Sequence, residues 1–275
     1  MDQIEYLTDI TCEINDTITS IKPDNYGRRL AIGTSNGKIY IYQSINNTYE
    51  KIYEYQAHNG PIFQIDWSHQ SYGNMFVTCG FDKKVNLFQE INNNYYDLLL
   101  EFNEHNNCVI CISFFNSSKE FLFISGGLDG NIVIYKYQNE NRDFEIKKIF
   151  AHNFGVNCIS FFKNNDFISF VTCGNDNLIK IWKFNNDSKK FENYDTIKDI
   201  ECITNDVCCR DSQHFASCSE DGSVYYWKKD EGKWNPKEIV SNPTPVVKVA
   251  FNEEGNALAL IGTDGVHQVY SEKSF

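Results

Sequence analysis

Apolar and polar residues alternate in short runs along the chain, and Gly, Asn, Asp and Ser break the runs at short intervals. One stretch shows the unit clearly: VNCISFF (156–162) starts in alternation, FISFVTC (167–173) follows, and LIKIW (178–182) ends on an aromatic. A period of two marks half-buried β-strands, and nothing of comparable length carries the 3.6-residue period of a helix. The pattern therefore predicts strands almost everywhere.

The third run recurs as KIYIY, KVNLF, NIVIY, LIKIW, SVYYW and VHQVY, closing on Tyr42, Phe88, Tyr135, Trp182, Trp227 and Tyr270. Six residues before these aromatics stand Asn36, Asp82, Asp129, Asp176, Asp221 and Asp264. His58, His105 and His152 each lie 24 residues ahead of their Asp, so three units repeat at a step of 47. A fourth run follows the first five units: YEKIYEYQ, YYDLLLEF, FEIKKIF, KFENYDTI and KWNPKEIV. Units of four strands at this period are the blades of a β-propeller. The expected fold is all-β, a single six-bladed propeller over 1–275, with blades at roughly 11–56, 57–103, 104–150, 151–197, 198–242 and 243–275.

The sixth unit has no fourth run after its third, so its blade is expected to be one strand short. Residues 1–10 contain QIEYLT (Gln3–Thr8), a strand that is expected to pair with the last blade; otherwise that blade keeps an edge for a partner.

Charge narrows the choice of partners. A formal charge of −12 disfavours binding to nucleic-acid phosphates, and points instead to other proteins. No apolar run approaches the roughly 20 residues of a membrane span, and MDQIEYLTDI lacks the apolar core of a signal peptide, so a cytosolic or nuclear chain is expected. Ten cysteines raise the question of zinc or disulfides. Cys79, Cys173 and Cys218 each stand three residues before a frame Asp, and Cys111 and Cys158 six after a frame His. Cys108 and Cys111 form a CxxC, but no second pair stands at zinc-site spacing. Residues that recur in register behave as reduced packing groups, and no metal or cofactor is expected.

His, Asp and a hydroxyl recurring together invite a catalytic reading. Thr78, Ser125, Thr172 and Ser217 stand four residues before their Asp, and the set His152, Thr172, Asp176 and Trp182 is complete. A catalytic triad occurs once per site, whereas this set repeats around a ring, which suits buried hydrogen-bond chains that stiffen each blade. The set thins elsewhere: Phe88 cannot donate, Ile197 takes the His position of unit five, which keeps Ser217, Asp221 and Trp227, and unit six retains Asp264 alone. No enzyme activity is expected.

These repeats resemble the WD-repeat family, although Trp182 and Trp227 are followed by Lys instead of Asp. Within it, Gly60-Pro61, Gln64, Trp67, His69, Tyr72-Gly73-Asn74, Cys79, Asp82 and Lys84-Val85 look like the second blade of the Sec-thirteen propellers. Tyr26-Gly27 with Arg29-Leu30-Ala31 looks like their first blade, and Cys218-Ser219, Asp221-Gly222, Val224, Trp227, Trp234 and Pro236 like their fifth. The resemblance implies an open six-bladed propeller that a partner completes with a seventh blade. In the COPII outer coat of vesicles leaving the endoplasmic reticulum, that partner is the large rod-forming subunit. At nuclear pores it is a scaffold nucleoporin of the Y-complex. The resemblance further implies a hetero-oligomeric scaffold on the cytoplasmic face of the endoplasmic reticulum and its vesicles or at the nuclear envelope, associated with membrane only through the coat. Thr17, Ile18 and Thr19 of blade one and Val246, Val247 and Val249 of blade six are the expected flanks of the gap. A sister propeller of the pore and of nutrient signalling, and a closed adaptor propeller that binds peptides on one face, remain alternatives.

Overall fold

Among the described residues strands follow one another with no helix longer than a single 3-10 turn, because almost every run long enough to form an element carries the alternation of a strand. The computed structural model describes residues 14–46, 48–92, 94–163, 167–198 and 200–274. Gln3–Thr8 lies outside them.

Blade one contains β1 (Ile18–Pro23), β2 (Arg29–Thr34), β3 (Lys38–Ile45) and β4 (Thr48–Gln56). Blade two contains β5 (Ile62–Trp67), β6 (Met75–Gly80), β7 (Val85–Asn92) and β8 (Tyr95–Phe102). Blade three has β9 (Val109–Phe114), β10 (Leu122–Gly127), β11 (Asn131–Gln138) and β12 (Asp143–Phe150). Blade four has β13 (Val156–Phe161), β14 (Ser169–Gly174), β15 (Ile179–Asn185) and β16 (Lys190–Ile197). Blade five has β17 (Thr204–Asp211), β18 (His214–Ser219), β19 (Ser223–Asp230) and β20 (Lys233–Ser241). Among the described residues blade six has three strands, β21 (Val246–Phe251), β22 (Ala257–Gly262) and β23 (His267–Ser271). Each sheet is an antiparallel meander in chain order, and the six form a β-propeller.

The turn between second and third strands needs a backbone that swings left-handed. Gly37, Gly130 and Gly222 take it at φ of 81°, 76° and 84°, and a Cβ on Gly37 would sit 2.1 Å from the carbonyl oxygen of His58. Glycine suits the position by conformation and by the approach of the next blade's entry loop, while Lys83 at φ 71° and Asn177 at φ 60° take the same turn in blades two and four.

All six inner strands carry a bulge at the same place, at Thr19, Phe63, Ile110, Asn157, Asn205 and Val247. The bulge turns inner-strand side chains toward the next blade, where they satisfy backbone groups that no sheet partner reaches. Third-position side chains accept from the fourth amide of the following inner strand: Ser20 from Ile65 at 3.2 Å, Gln64 from Ile112 at 3.4 Å, Asp206 from Val249 at 3.0 Å. Fifth-position side chains do the same for the sixth amide: Asp66 for Phe114 at 2.8 Å, Ser160 for Cys209 at 2.9 Å, and the Cys208 sulfur for Phe251 at 3.5 Å. At the bulge itself, Thr19 donates to the Ile62 carbonyl, Asn157 to that of Thr204 and Asn205 to that of Val246. Lys22 pairs with Asp66 and Lys248 with Asp206, each at 3.0 Å, so the two buried carboxylates are neutralised as well as bonded.

Away from these bonds the faces between blades are apolar. One interface joins Val77, Leu87 and Val85 of blade two to Ile112, Phe114, Phe123 and Tyr135 of blade three, and the others follow this plan. Inner strands pack in sequence, β1 on β5, β5 on β9, β9 on β13, β13 on β17 and β17 on β21. Among the described residues no comparable packing returns β21 to β1.

Candidate functional site

Two arrangements compete for a functional role: the polar chains inside the blades, and the flanks between blade six and blade one. The polar chains are complete in three blades. Nδ1 of His58, His105 and His152 lies 2.8, 3.1 and 2.7 Å from Asp82, Asp129 and Asp176. Nε2 of each lies 2.8 Å from Thr78, Ser125 and Thr172. The Trp182 indole donates to Thr172 at 2.9 Å, and that of Trp227 to Ser217 at 2.8 Å. An ionised Asp176 only accepts, so Nδ1 of His152 carries the proton donated to it. Nε2 of the neutral ring then accepts the Thr172 hydrogen, and the Thr172 oxygen accepts from the Trp182 indole.

Tyr135 takes the place of Trp182 in blade three: its hydroxyl lies 3.3 Å from that of Ser125 and can donate to it, so this chain also has an aromatic terminus. Phe88 ends the set at Thr78. Closing aromatics also stack on a second-strand Phe, with ring centres of Phe76–Phe88, Phe123–Tyr135, Phe170–Trp182 and Phe215–Trp227 at 4.9, 4.6, 6.0 and 5.7 Å. The edge blades pair Leu30 with Tyr42 and Leu258 with Tyr270 instead. Asp221 is bonded to Ser223 and is not joined to Ser217. Asp264 holds the Val266 amide and the Thr244 hydroxyl. In blade one Asp16 substitutes from the other side of the turn, accepting from the Ser35 hydroxyl at 2.6 Å and the Asn36 amide at 3.0 Å. The bond from Ser35 leads the causes that lower its pKa to about 2.

These chains have the composition of a triad but not its access. His152 and Thr172 are fully buried, so no substrate reaches the hydroxyl. Burial lowers the pKa of His105 and His152 against the pull of their carboxylates and keeps the rings neutral. For Asp82, Asp129 and Asp176 burial raises the pKa, yet the bonds from His and from backbone amides outweigh it and hold the carboxyls below the usual value. The thiols of Cys79, Cys111, Cys158 and Cys173 are pushed up by burial. Among the described residues no three His, Cys, Asp or Glu side chains are placed to hold a metal ion.

At the other site, the back face of each blade is set by rows of residues paired across strands. In blade five the rows are Cys208–Ala216–Tyr226 and Asp206–Cys218–Val224, and Ala216, Cys218 and Val224 are fully buried under blade six. The same rows in blade six are Ala250–Ala259–Val269 and Lys248–Ile261–His267. Here Ala250, Ala259 and His267 are exposed, Ile261 is 40% exposed and Val269 56%. In blades one to four the corresponding positions, such as Ile39 and Ile41, Val77 and Leu87, Ile124 and Ile134, and Val171 and Ile181, are buried. Blade six alone leaves this face uncovered among the described residues.

The gap residues read from the sequence fall in different places. Ile18 is 40% exposed at the blade-one flank, and Thr17 is exposed with its amide on Asp16. Thr19 is turned the other way, donating to blade two. Val246 and Val249 are buried against Ala216, Cys218 and Val224 of blade five, so they do not face the gap, and Val247 is half-buried at the bulge. The reason is the pleat as shifted by the bulge at Val247: Val246, Val249 and Phe251 share the face turned to blade five, and Lys248 and Ala250 take the other. Blade one's own face toward the gap, Leu30, Ile32, Tyr40 and Tyr42, is buried with Ile14 packed on it.

Two arginine clamps brace the flanking blades, and sequence reasoning missed both. Arg29 of blade one grips Glu90 of blade two with two bonds of 2.8 Å and also reaches the Tyr96 hydroxyl. Asn74 and the Asn94 amide hold the same carboxylate. Arg210 of blade five bonds the Tyr226 hydroxyl at 3.0 Å and Glu272 of blade six at 2.6 Å. Partners 61 and 62 residues apart leave no local signal in a sequence. Asp66 and Asp206 left one, as single acids inside buried strands.

The WD domain, G-beta repeat family matches residues 49–89, 96–136, 144–183 and 193–228. Together these segments make up more than half of the chain, which belongs to the WD-repeat family. Each match starts in the fourth strand of one blade and ends in the third strand of the next, so the sequence repeat runs out of phase with the structural blade. The chain is also similar to the Protein SEC13 homolog of Drosophila melanogaster, at 33% identity over 30% of this chain and 23% of that protein. It is 35% identical to the Protein transport protein SEC13 of Scheffersomyces stipitis over 28% of this chain and 26% of the relative. A third, the Protein transport protein SEC13 of Chaetomium thermophilum, is 32% identical over 28% and 25%. The matched stretch spans about a quarter of the length of these relatives.

Asp176→Ala is expected to cost about 2–3 kcal/mol, because it orphans the His152 ring and the amides of Asn153 and Leu178. Asp264→Ala, on an open turn, is expected to give a clearly smaller drop in melting temperature; equal drops would contradict the account. A pH dependence follows from the buried rings. Their pKa is lowered from the usual 6.5, so below that pH the unfolded chain binds protons that the folded chain refuses. The urea midpoint is expected to fall as pH drops from 6.5 toward 5, and to fall less steeply in the His105→Gln/His152→Gln variant.

Proposed function

We propose that this WD-repeat propeller is an open ring that accepts a seventh blade from a rod-like partner, and that it serves as a scaffold subunit of the COPII outer coat. The observation that carries this reading is the uncovered back face of blade six. Ala259, Ile261 and Val269 occupy positions that five other blades bury, and they lie beside a sheet edge with no packed strand among the described residues. An apolar sheet face of this kind is stable in water only when its exposure serves an interaction. The occupant that matches it is another blade, because only a sheet continues the ring with the same pleat and spacing.

The names of the similar proteins support the coat. SEC13 of Scheffersomyces stipitis is a protein transport protein, and the partner implied by the resemblance of blades one, two and five is the large rod-forming subunit of the coat. A scaffold nucleoporin of the Y-complex offers a blade of the same kind, so the same slot serves the nuclear pore. On this reading the protein is a hetero-oligomeric subunit at the cytoplasmic face of the endoplasmic reticulum and its vesicles, and at nuclear pores in the second assembly. It reaches membrane only through its partner. Its chemistry is mechanical: the two arginine clamps hold the blades that border the slot, so load from an inserted blade passes into the ring.

Mixing the purified chain with the blade-forming segment of the COPII rod subunit from the same source is expected to give a one-to-one complex by sedimentation, with a melting temperature above that of either part. A chain that stays separate from both the rod segment and the scaffold nucleoporin, and melts unchanged beside them, contradicts the reading.

A further inference from the structure

The rule that joins neighbouring blades also describes what is missing at the slot. Inner-strand side chains supply acceptors at the third or fifth position in blades one, two, four and five, and donors at the second in blades one, four and five, while in blade three the third-position Cys111 thiol donates to the Val156 carbonyl. Blade six has Val247, Lys248 and Ala250 at these three places. Val247 has no donor, Ala250 has no acceptor, and the Lys248 ammonium is turned back onto Asp206. Blade six thus offers a following strand no hydrogen bond of the kind used elsewhere. On the opposite flank, the sixth position of β1 is Pro23. The sixth position of the other inner strands has an amide, and those of Phe114, Cys209 and Phe251 are bonded by the preceding blade. A proline there removes the amide, and removes the need for an acceptor.

We infer that the slot is chemically asymmetric: the incoming blade is held to blade six by apolar packing alone, and to blade one by hydrogen bonds that the incoming strand itself supplies. This rests on the blade-accepting reading above and specifies the partner. The inner strand of the partner carries an acceptor at its third position for the Ile21 amide and a donor at its second for the Ile18 carbonyl, as Ser20 and Thr19 do for Ile65 and Ile62. At its fifth position it needs none, because Pro23 has no N–H. Its face toward blade six is aliphatic, matching Ala250, Ala259, Ile261 and Val269, as Val249, Leu258 and Leu260 match the back of blade five. The asymmetry gives the insertion a direction: a blade presented the wrong way round places its polar second and third positions against an alanine row.

The test is the affinity of the COPII rod segment for the wild-type chain and for Ala259→Asp, with Ala250→Ser beside them. Ala259 is exposed in the free chain, so Ala259→Asp is expected to leave the free chain's melting temperature unchanged while weakening the complex by at least about 100-fold, since insertion buries an unpaired charge. Ala250→Ser, which adds the acceptor that Ser160 provides in blade four, is expected to bind at least as tightly as wild type. Wild-type binding with Ala259→Asp within threefold overturns the inference and leaves the blade-accepting reading standing. Absence of any wild-type complex overturns the reading, and the inference with it. A free chain that sediments as a dimer dispersed by Ala259→Asp overturns the choice of partner, because a second copy then fills the slot.

Discussion

The fold depends on a debt that each blade leaves to the next. An inner strand has one edge paired in its own sheet and another that faces the neighbouring blade, where its amides find no ladder. Ser20, Gln64, Asp66, Ser160 and Asp206 settle that edge from the blade before, and the bulge common to all six strands brings them into reach. The apolar back face of each blade is settled by the blade after. A ring of such units is self-consistent everywhere except at a break, and at the break both debts fall due together. Blade six shows the uncovered face, and blade one meets its side with a proline and a packed cluster.

Rigidity follows the same geometry. In blades two, three and four a buried His ties the entry loop to the strand turn, and stacked aromatics back it in blades two to five. The flanking blades lack that set: Asn36 replaces the Asp in blade one, and Asp264 in blade six holds only its own turn and Thr244. What they have instead are long-range ion pairs, Arg29 with Glu90 and Arg210 with Glu272, which fasten each to an inner neighbour. Rigid centre and clamped flanks suit the open ring proposed above.

Much of this was legible in the sequence because propeller blades repeat. The six aromatics, the Asp six residues earlier and the alternation of VNCISFF specify strand, turn and blade through local spacing alone. The choice of gap residues was not legible in the same way. Val246 and Val249 read as apolar flank residues, but which face of β21 points outward depends on the bulge at Val247, and a one-residue shift exchanges the faces. Ala259 and Val269 looked like ordinary strand residues, and only comparison with buried Ala216 and Tyr226 at the same rows marks them. Arg29, Glu90, Arg210 and Glu272 have distant partners that only the ring brings together.

The most direct test of the central claim is amide hydrogen exchange of the whole chain, alone and with the COPII rod segment bound. The account predicts that exchange slows in residues 18–23 on one flank and 257–271 on the other, while blades three and four are unchanged. Slowing confined to the loops at one end of the ring, or to the blade two and three rim, would contradict it, because the partner would then rest on a closed propeller and not complete an open one.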